Sequence, residues 1–152
     1  MSINLAVDTM RETTLFRNVD DKRLKVVAMM GETLSYRDGE CIFEQGDEGD
    51  AAYIVIEGSV DVMVGTDGSA TPVTTLGRAE IFGEIAVLCD LPRTTGIQAH
   101  GDVTVLRLSR RDLLNLMQEF PDIALQMIQI LGQRLEATTK ALVEAKMKLG
   151  AA

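Results

Sequence analysis

The chain has 152 residues and a formal net charge of −8, and 46% of its residues are hydrophobic. This length fits a single domain with its own core. The acidic balance argues against a nucleic-acid surface, which needs clustered lysine and arginine. No apolar run is long enough to span a membrane, and no signal peptide is visible at the N-terminus.

Residues that hold metals or form disulfides are scarce. His100 is the only histidine, so the composition argues against a histidine-rich metal site, and no spacing of acidic or cysteine ligands suggests another kind. Cys41 and Cys89 lie far apart in the sequence. We expect both to be small buried apolar residues with reduced thiols, which is typical of a cytoplasmic protein.

The N-terminal part has apolar residues at helical spacing and predicts two helices joined by a short connector. Asp20 is a suitable N-cap for the second helix. Leu24, Val27 and Ala28 form its predicted inner face, and Gly31 ends it.

From residue 32 the pattern changes to short strands separated by glycine turns. We expect strands at residues 33–36, 41–43, 52–56, 59–64, 72–76, 95–99 and 103–108. Asp38-Gly39 predicts a hairpin between the first two strands. Glu57-Gly58 predicts a turn after the third strand, and residues 66–69 predict another. Many short strands with frequent turns indicate an antiparallel barrel or jelly roll.

After Ser109, the predicted cap of a helix at 110–117, the chain returns to helix. Pro121 then starts a long helix, because proline is tolerated in a first helical turn. Its apolar positions follow alternating steps of four and three, interrupted by one threonine: Ala124, Ile128, Leu131, Leu135, Thr138, Leu142, Ala145 and Leu149. This a/d pattern favours a coiled-coil dimer. The alternative is that the helix packs on its own domain.

Residues 81–95 contain the strongest candidate site. A short helix is expected to start near Gly83 or Glu84, and its first N–H groups have no partner within the helix, so they attract anions. Arg93 has a forked donor geometry that suits a phosphate. Glu84 can accept hydrogen bonds from sugar hydroxyls. This combination predicts a nucleotide-sized site.

This stretch resembles the phosphate-binding cassette of the cyclic nucleotide-binding domain family. The matching residues are F-G-E-I-A-V-L at 82–88 and P-R-T-T at 92–95, and the resemblance extends from about residue 15 to 148. It implies an eight-stranded antiparallel β-roll (jelly roll), mainly β with flanking α. The whole chain, 1–152, would form one such domain.

Within that domain the resemblance implies three parts. The N-terminal helices occupy about 1–31, the roll about 32–109, and a C-terminal pair of helices about 110–149. The C-terminal pair would act as hinge and lid over the ligand.

The resemblance also implies roles for the cassette residues. Arg93 corresponds to the arginine that pairs with the cyclic phosphate, and Glu84 to the acceptor of the ribose 2′-hydroxyl. Gly83 and Ile85 correspond to residues whose backbone contacts the ribose. Ala86 and Thr94 correspond to residues whose backbone N–H groups bind phosphate oxygens.

Two features bear on the choice between cAMP and cGMP. Thr94 is associated in the family with accommodating guanine, although threonine also suits the start of a strand. Thr138 and Thr139 resemble the adenine-contacting hydroxyl pair in the dimer helix of bacterial catabolite activators, although mid-helix hydroxyls also bond preceding carbonyls. Thr95 and Gly96 depart from the family pattern, which usually has alanine and then threonine or serine.

The expected function is therefore a regulatory, non-catalytic sensor that binds cAMP or cGMP and uses no metal. Its expected partners are the nucleotide, an effector protein or domain, and a possible second copy of the chain. It is not expected to contact nucleic acid or a membrane. Two alternatives remain: a ligand-free dimerisation scaffold, and a cupin-like enzyme, for which the histidine ligands are lacking.

Overall fold

The computed structural model describes residues 3–65 and 70–151 and contains an antiparallel sheet, preceded in the chain by N-terminal helices and followed by C-terminal helices that share one core with them. The helices are α1 (Ile3–Glu12), α2 (Asp21–Met30), α3 (Glu84–Cys89), α4 (Arg110–Glu119) and α5 (Pro121–Ala151). The strands are β1 (Glu32–Tyr36), β2 (Cys41–Phe43), β3 (Ala51–Val64), β4 (Thr71–Leu76), β5 (Ile81–Phe82) and β6 (Gly96–Ser109). This is the predicted class, mainly β with flanking α. The turn predicted at 66–69 lies outside the described residues.

The described part of the sheet has six strands, where the resemblance implied eight and the sequence pattern placed seven. Two pairs of the seven predicted strands are merged, and β5 (Ile81–Phe82) was not predicted. β3 and β6 each join two predicted strands into one of 14 residues. Gly58 and Gly101, with φ values of +86° and +72°, allow each strand to bend and continue. The prediction of a turn at Glu57-Gly58 that ends a strand was therefore wrong.

The hairpin predicted at Asp38-Gly39 was also wrong in its pairing. A turn forms there, and Gly39 has a φ of +82°. However, β1 and β2 do not pair with each other, because both pair with β6. Long β6 also pairs with β3, so it holds most of the roll together.

The N-terminal helices form as predicted and cover one end of the sheet. The Asp20 carboxylate accepts a hydrogen bond from the backbone N–H of Arg23 at 2.9 Å, which caps α2. Leu24, Val27 and Ala28 are buried and join a core between the helices and the sheet. A second core fills the interior of the roll.

The C-terminal helices begin at the predicted residues. The Ser109 hydroxyl caps α4 by accepting from the backbone N–H of Asp112 at 3.2 Å. Pro121 is the first residue of α5, whose first turns pack on the domain through buried Ile123 and Met127. Residues 135–150 are all exposed, so α5 projects away from its own domain.

The expectation for the two cysteines was wrong. Cys41 and Cys89, expected to be buried, are both exposed free thiols. His100 lies within β6, and its ring Nδ1 is 3.0 Å from the Asp61 carboxylate.

Candidate functional site

A cavity of about 230 Å³ lies where the roll, α3 and α5 meet. Seven of the eight predicted site residues line it: Gly83, Glu84, Ile85, Ala86, Arg93, Thr94 and Thr138. Thr139 is exposed and is not among the lining residues. The structure adds seven lining residues to which the sequence had assigned no contact: Phe43, Val62, Leu76, Phe82, Thr95, Ile97 and Arg134. Phe82 and Thr95 belong to the predicted cassette, and the other five lie outside it.

Arg93 is the central cation of the cavity and is 3% exposed. Its guanidinium donates through Nη1 to the Gly83 carbonyl at 2.8 Å and through Nη2 to the Ala51 carbonyl at 2.7 Å. The guanidinium carbon lies 4.0 Å from the centre of the Phe43 ring, a cation–π distance. These contacts fix the side chain in one position.

The charge of Arg93 is poorly compensated. Within the described part of the chain its nearest carboxylate is Asp50 at 3.5 Å, and its buried Nε has no hydrogen-bond partner. Burial lowers the pKa of the guanidinium, yet arginine remains protonated in proteins. A buried cation with an unused donor is a favourable partner for an anion.

Gly83 allows this arrangement. It is the N-cap of α3 and has a left-handed backbone with φ of +77°. A Cβ atom at this position would lie 2.8 Å from Nη1 of Arg93 and 3.3 Å from the Ala51 carbonyl. Only glycine meets both the backbone and the space requirement.

Glu84 is the second buried charge and is 3% exposed. Its Oε1 accepts from Nη1 of Arg134 at 2.6 Å. Burial raises the pKa of the Glu84 carboxyl above its usual range, although the charges of Arg134 and Arg93 oppose the shift. Glu84 therefore places a buried carboxyl group in the same cavity as Arg93.

Arg134 is the main functional residue that sequence reasoning missed. It lies on α5 and also donates through Nη2 to the Ile81 carbonyl at 2.5 Å, so it connects the long helix to the cassette. One signal could have found it: Arg134 precedes Thr138 by four residues and therefore lies on the same face of the helix.

Among the described residues, no group of three or more histidine, cysteine, aspartate or glutamate side chains is placed to hold a metal ion. Likewise, none of the helices in residues 3–65 and 70–151 has the length and apolarity needed to cross a membrane.

The cavity can bind an anion at Arg93 and hydroxyl groups at Glu84.

Residues 33–120 match the family model of the cyclic nucleotide-binding domain, and this range contains the whole cassette. The chain belongs to the cyclic nucleotide-binding domain family. The β-roll expected from the resemblance is thereby confirmed as its fold.

Two relatives illustrate the range of proteins that contain this domain. Lysophospholipase nte1 of Aspergillus oryzae is 36% identical over 98 residues, which cover 64% of the chain and 6% of that protein. The CRP-like cAMP-activated global transcriptional regulator of Mycobacterium tuberculosis is 25% identical over 131 residues, covering 86% of the chain and 58% of the regulator. The chain thus spans less than two thirds of either relative.

A solved structure supports the fold assignment. The regulatory domain of Toxoplasma gondii PKA, crystallised with cAMP, superposes with a TM-score of 0.72 at 26% identity. The match covers 86% of the chain and 50% of the PKA domain.

Proposed function

We propose that the chain is a regulatory module that binds cAMP or cGMP in the cavity between α3 and α5. The observation that supports this most strongly is Arg93, a buried cation with an unpartnered Nε donor at the cavity wall. Membership of the family and the cAMP-bound PKA relative support the same ligand class. The proposed role is regulatory, and no catalytic residue is assigned.

The phosphate is proposed to bind at Arg93. A cyclic phosphate carries one negative charge, which one guanidinium and a few amide donors can neutralise. The first N–H groups of α3, including that of Ala86, have no partner within the helix, and Thr94 lines the same cavity. Gly83 and Ile85 are assigned backbone contacts with the ribose.

The ribose is proposed to bind at Glu84, and this contact would transmit the signal. One carboxylate can accept from a 2′-hydroxyl and from Arg134 together. Because Arg134 is part of α5, nucleotide and long helix share the same carboxylate. A ligand that binds one position of α5 more tightly than another would shift α5 towards that position and change its contact with an effector.

The choice of base depends on three threonines. Thr94 and Thr138 line the cavity and are assigned to the base, with Thr94 compatible with guanine and Thr138 with adenine. Thr139 is exposed on α5. Its proposed base contact would be made to the nucleotide of a second copy, if α5 forms a dimer.

The first test is thermal unfolding with and without cAMP, cGMP and 5′-AMP. A ligand at about 100 times its dissociation constant stabilises the folded state by about 2.7 kcal/mol. We expect one cyclic nucleotide to raise the melting temperature and 5′-AMP to have no effect.

Arg93→Lys keeps a positive charge but loses the forked donors, and should weaken cyclic nucleotide binding by about tenfold or more, about 1.4 kcal/mol. Arg110→Ala is the matched control, because Arg110 is a surface arginine paired with Asp90 at 2.9 Å. A folded protein that no cyclic nucleotide stabilises would contradict the sensor and favour the ligand-free scaffold.

A cytoplasmic location is also proposed, since Cys41 and Cys89 are free and exposed, a state that persists in reducing compartments.

A further inference from the structure

A second cavity, of about 320 Å³, adjoins the nucleotide cavity, and Phe43 and Ile97 line both. We propose that this second cavity binds a neutral or cationic aromatic molecule. The volume lies within the range of small-molecule sites, about 300–1,000 Å³. Three features of the cavity support this: its lining, the charge of Glu44 and the absence of a side chain at Gly96.

The lining suits a flat ring with a polar edge. Phe43, Ile97 and Met63 supply aromatic, branched and thioether surface, and both ring–ring and sulfur–ring contacts are favourable. Gln45 and Gln98 supply side-chain amides, and an amide can both donate and accept hydrogen bonds. Oε1 of Gln45 already accepts from the backbone N–H of Gly65 at 3.1 Å, so its NH₂ group is the part available to a ligand. Mostly apolar walls with a few polar groups are typical of small-molecule sites.

The charge of this cavity is opposite to that of the nucleotide cavity. Glu44 lines it, and none of the described lining residues is lysine, arginine or histidine. Partial burial, followed by the carboxylates of Glu44 and Asp47, raises the pKa of the Cys41 thiol, which also lines the cavity. The Glu44 carboxylate disfavours a phosphate or carboxylate in this cavity and favours an amine.

Gly96 leaves the cavity open. A Cβ atom at this position would lie 3.4 Å from the Phe43 carbonyl and 3.6 Å from Cβ of Met63, both ordinary contacts. All three nearest neighbours of this Cβ atom, which also include the Gln45 backbone nitrogen at 3.6 Å, belong to lining residues of the cavity. Gly96→Ser therefore adds side-chain atoms beside the cavity and should narrow it.

The test compares two probes that share an indole ring and differ in charge, tryptamine and indole-3-acetate. Binding is followed by NMR of the Met63 methyl group, assigned with Met63→Leu. It is also followed by the rate of thiol labelling at Cys41, with exposed Cys89 as the internal reference. We expect tryptamine to shift the Met63 signal saturably and to slow labelling of Cys41 several-fold relative to Cys89.

Three further results are expected. Indole-3-acetate should bind at least about tenfold more weakly than tryptamine. Gly96→Ser should weaken the binding of tryptamine by at least about tenfold. Glu44→Gln should weaken the binding of tryptamine but not that of neutral adenine. Glu44 is exposed, so its variant keeps the test decisive if Gly96→Ser unfolds. The proposal is overturned if tryptamine gives no saturable shift, or if it binds equally well to wild type, to folded Gly96→Ser and to Glu44→Gln.

Discussion

At the scale of single residues, Glu84 is a buried carboxyl group whose ion pair with Arg134 offsets only part of the effect of burial on its pKa. Burial raises its pKa in the folded state, and Arg134 and Arg93 oppose the rise. In the unfolded chain the carboxyl returns to about 4.3. At pH values between the pKa of the unfolded chain and the raised pKa of the folded state, the folded state binds more protons than the unfolded state. The free energy of unfolding therefore decreases as the pH rises through this range.

Glu84→Gln should remove this pH dependence. The difference in unfolding free energy, wild type minus variant, should increase as the pH falls through the raised pKa, by up to about 1.4 kcal/mol per pH unit. It should level off below the usual pKa of glutamate. Urea unfolding across that range measures it, with Glu136→Gln on the exposed part of α5 as the charge-matched baseline. A flat difference would show that burial does not dominate the titration of Glu84.

The cassette residues could be predicted from sequence because their contacts are local. Gly83 and Arg93 lie ten residues apart, and one short motif contains both. The contact between Arg134 and Glu84 spans 50 residues, and nothing in the spacing of charges on α5 specifies a partner so far away. The unpartnered Nε of Arg93 depends on three-dimensional packing, so no sequence pattern could reveal it.

At the scale of elements, local signals predicted where the chain turns but not always what it pairs with. Asp38-Gly39 does form a turn, yet β1 and β2 both pair with β6, because strand pairing is decided by long-range contacts. Glycine at 58 and 101 permits a bend as readily as a turn. Helix caps at Asp20 and Ser109 were predicted correctly, since a cap involves only residues two or three positions apart.

The left-handed turn that begins α3 is the element on which the nucleotide cavity depends most. Gly83→Ala should lower the unfolding free energy by about 1–3 kcal/mol, since a non-glycine residue is strained at φ of +77°. It should also displace Arg93, whose Nη1 would lie 2.8 Å from the new Cβ, and so weaken cyclic nucleotide binding.

Urea unfolding and calorimetric titration with cAMP would measure the two effects of Gly83→Ala. The matched control is Gly77→Ala, because a Cβ atom at Gly77 has nothing within 4 Å and its φ lies outside the left-handed region. Equal losses of stability in the two variants would show that the turn geometry at Gly83 is not special.

At the scale of the whole molecule, α5 carries apolar surface that its own domain does not cover. Four of the uncovered side chains repeat every seven residues and are more than half exposed: Ile128 at 65%, Leu135 at 68%, Leu142 at 55% and Leu149 at 78%. Leu125, Val143 and Met147 are exposed outside this repeat. A seven-residue repeat is the pattern of a coiled coil. This exposure favours the dimer over the alternative in which α5 packs only on its own domain. The residues of the a/d pattern form the seam of the proposed coiled coil, and Thr138, which lines the nucleotide cavity, belongs to it.

Leu142→Glu should therefore convert a dimer into a monomer, because it places a charge in the centre of the seam. Val143→Glu is the matched control. Leu142 and Val143 are similarly exposed in a single chain, at 55% and 49%, but Val143 lies one position outside the seam. Light scattering on the two purified variants would give a halved mass for Leu142→Glu and the wild-type mass for Val143→Glu. If wild type is already monomeric, or if both variants dissociate alike, the seam does not form the interface, and the signal from Arg134 must leave α5 through a different partner.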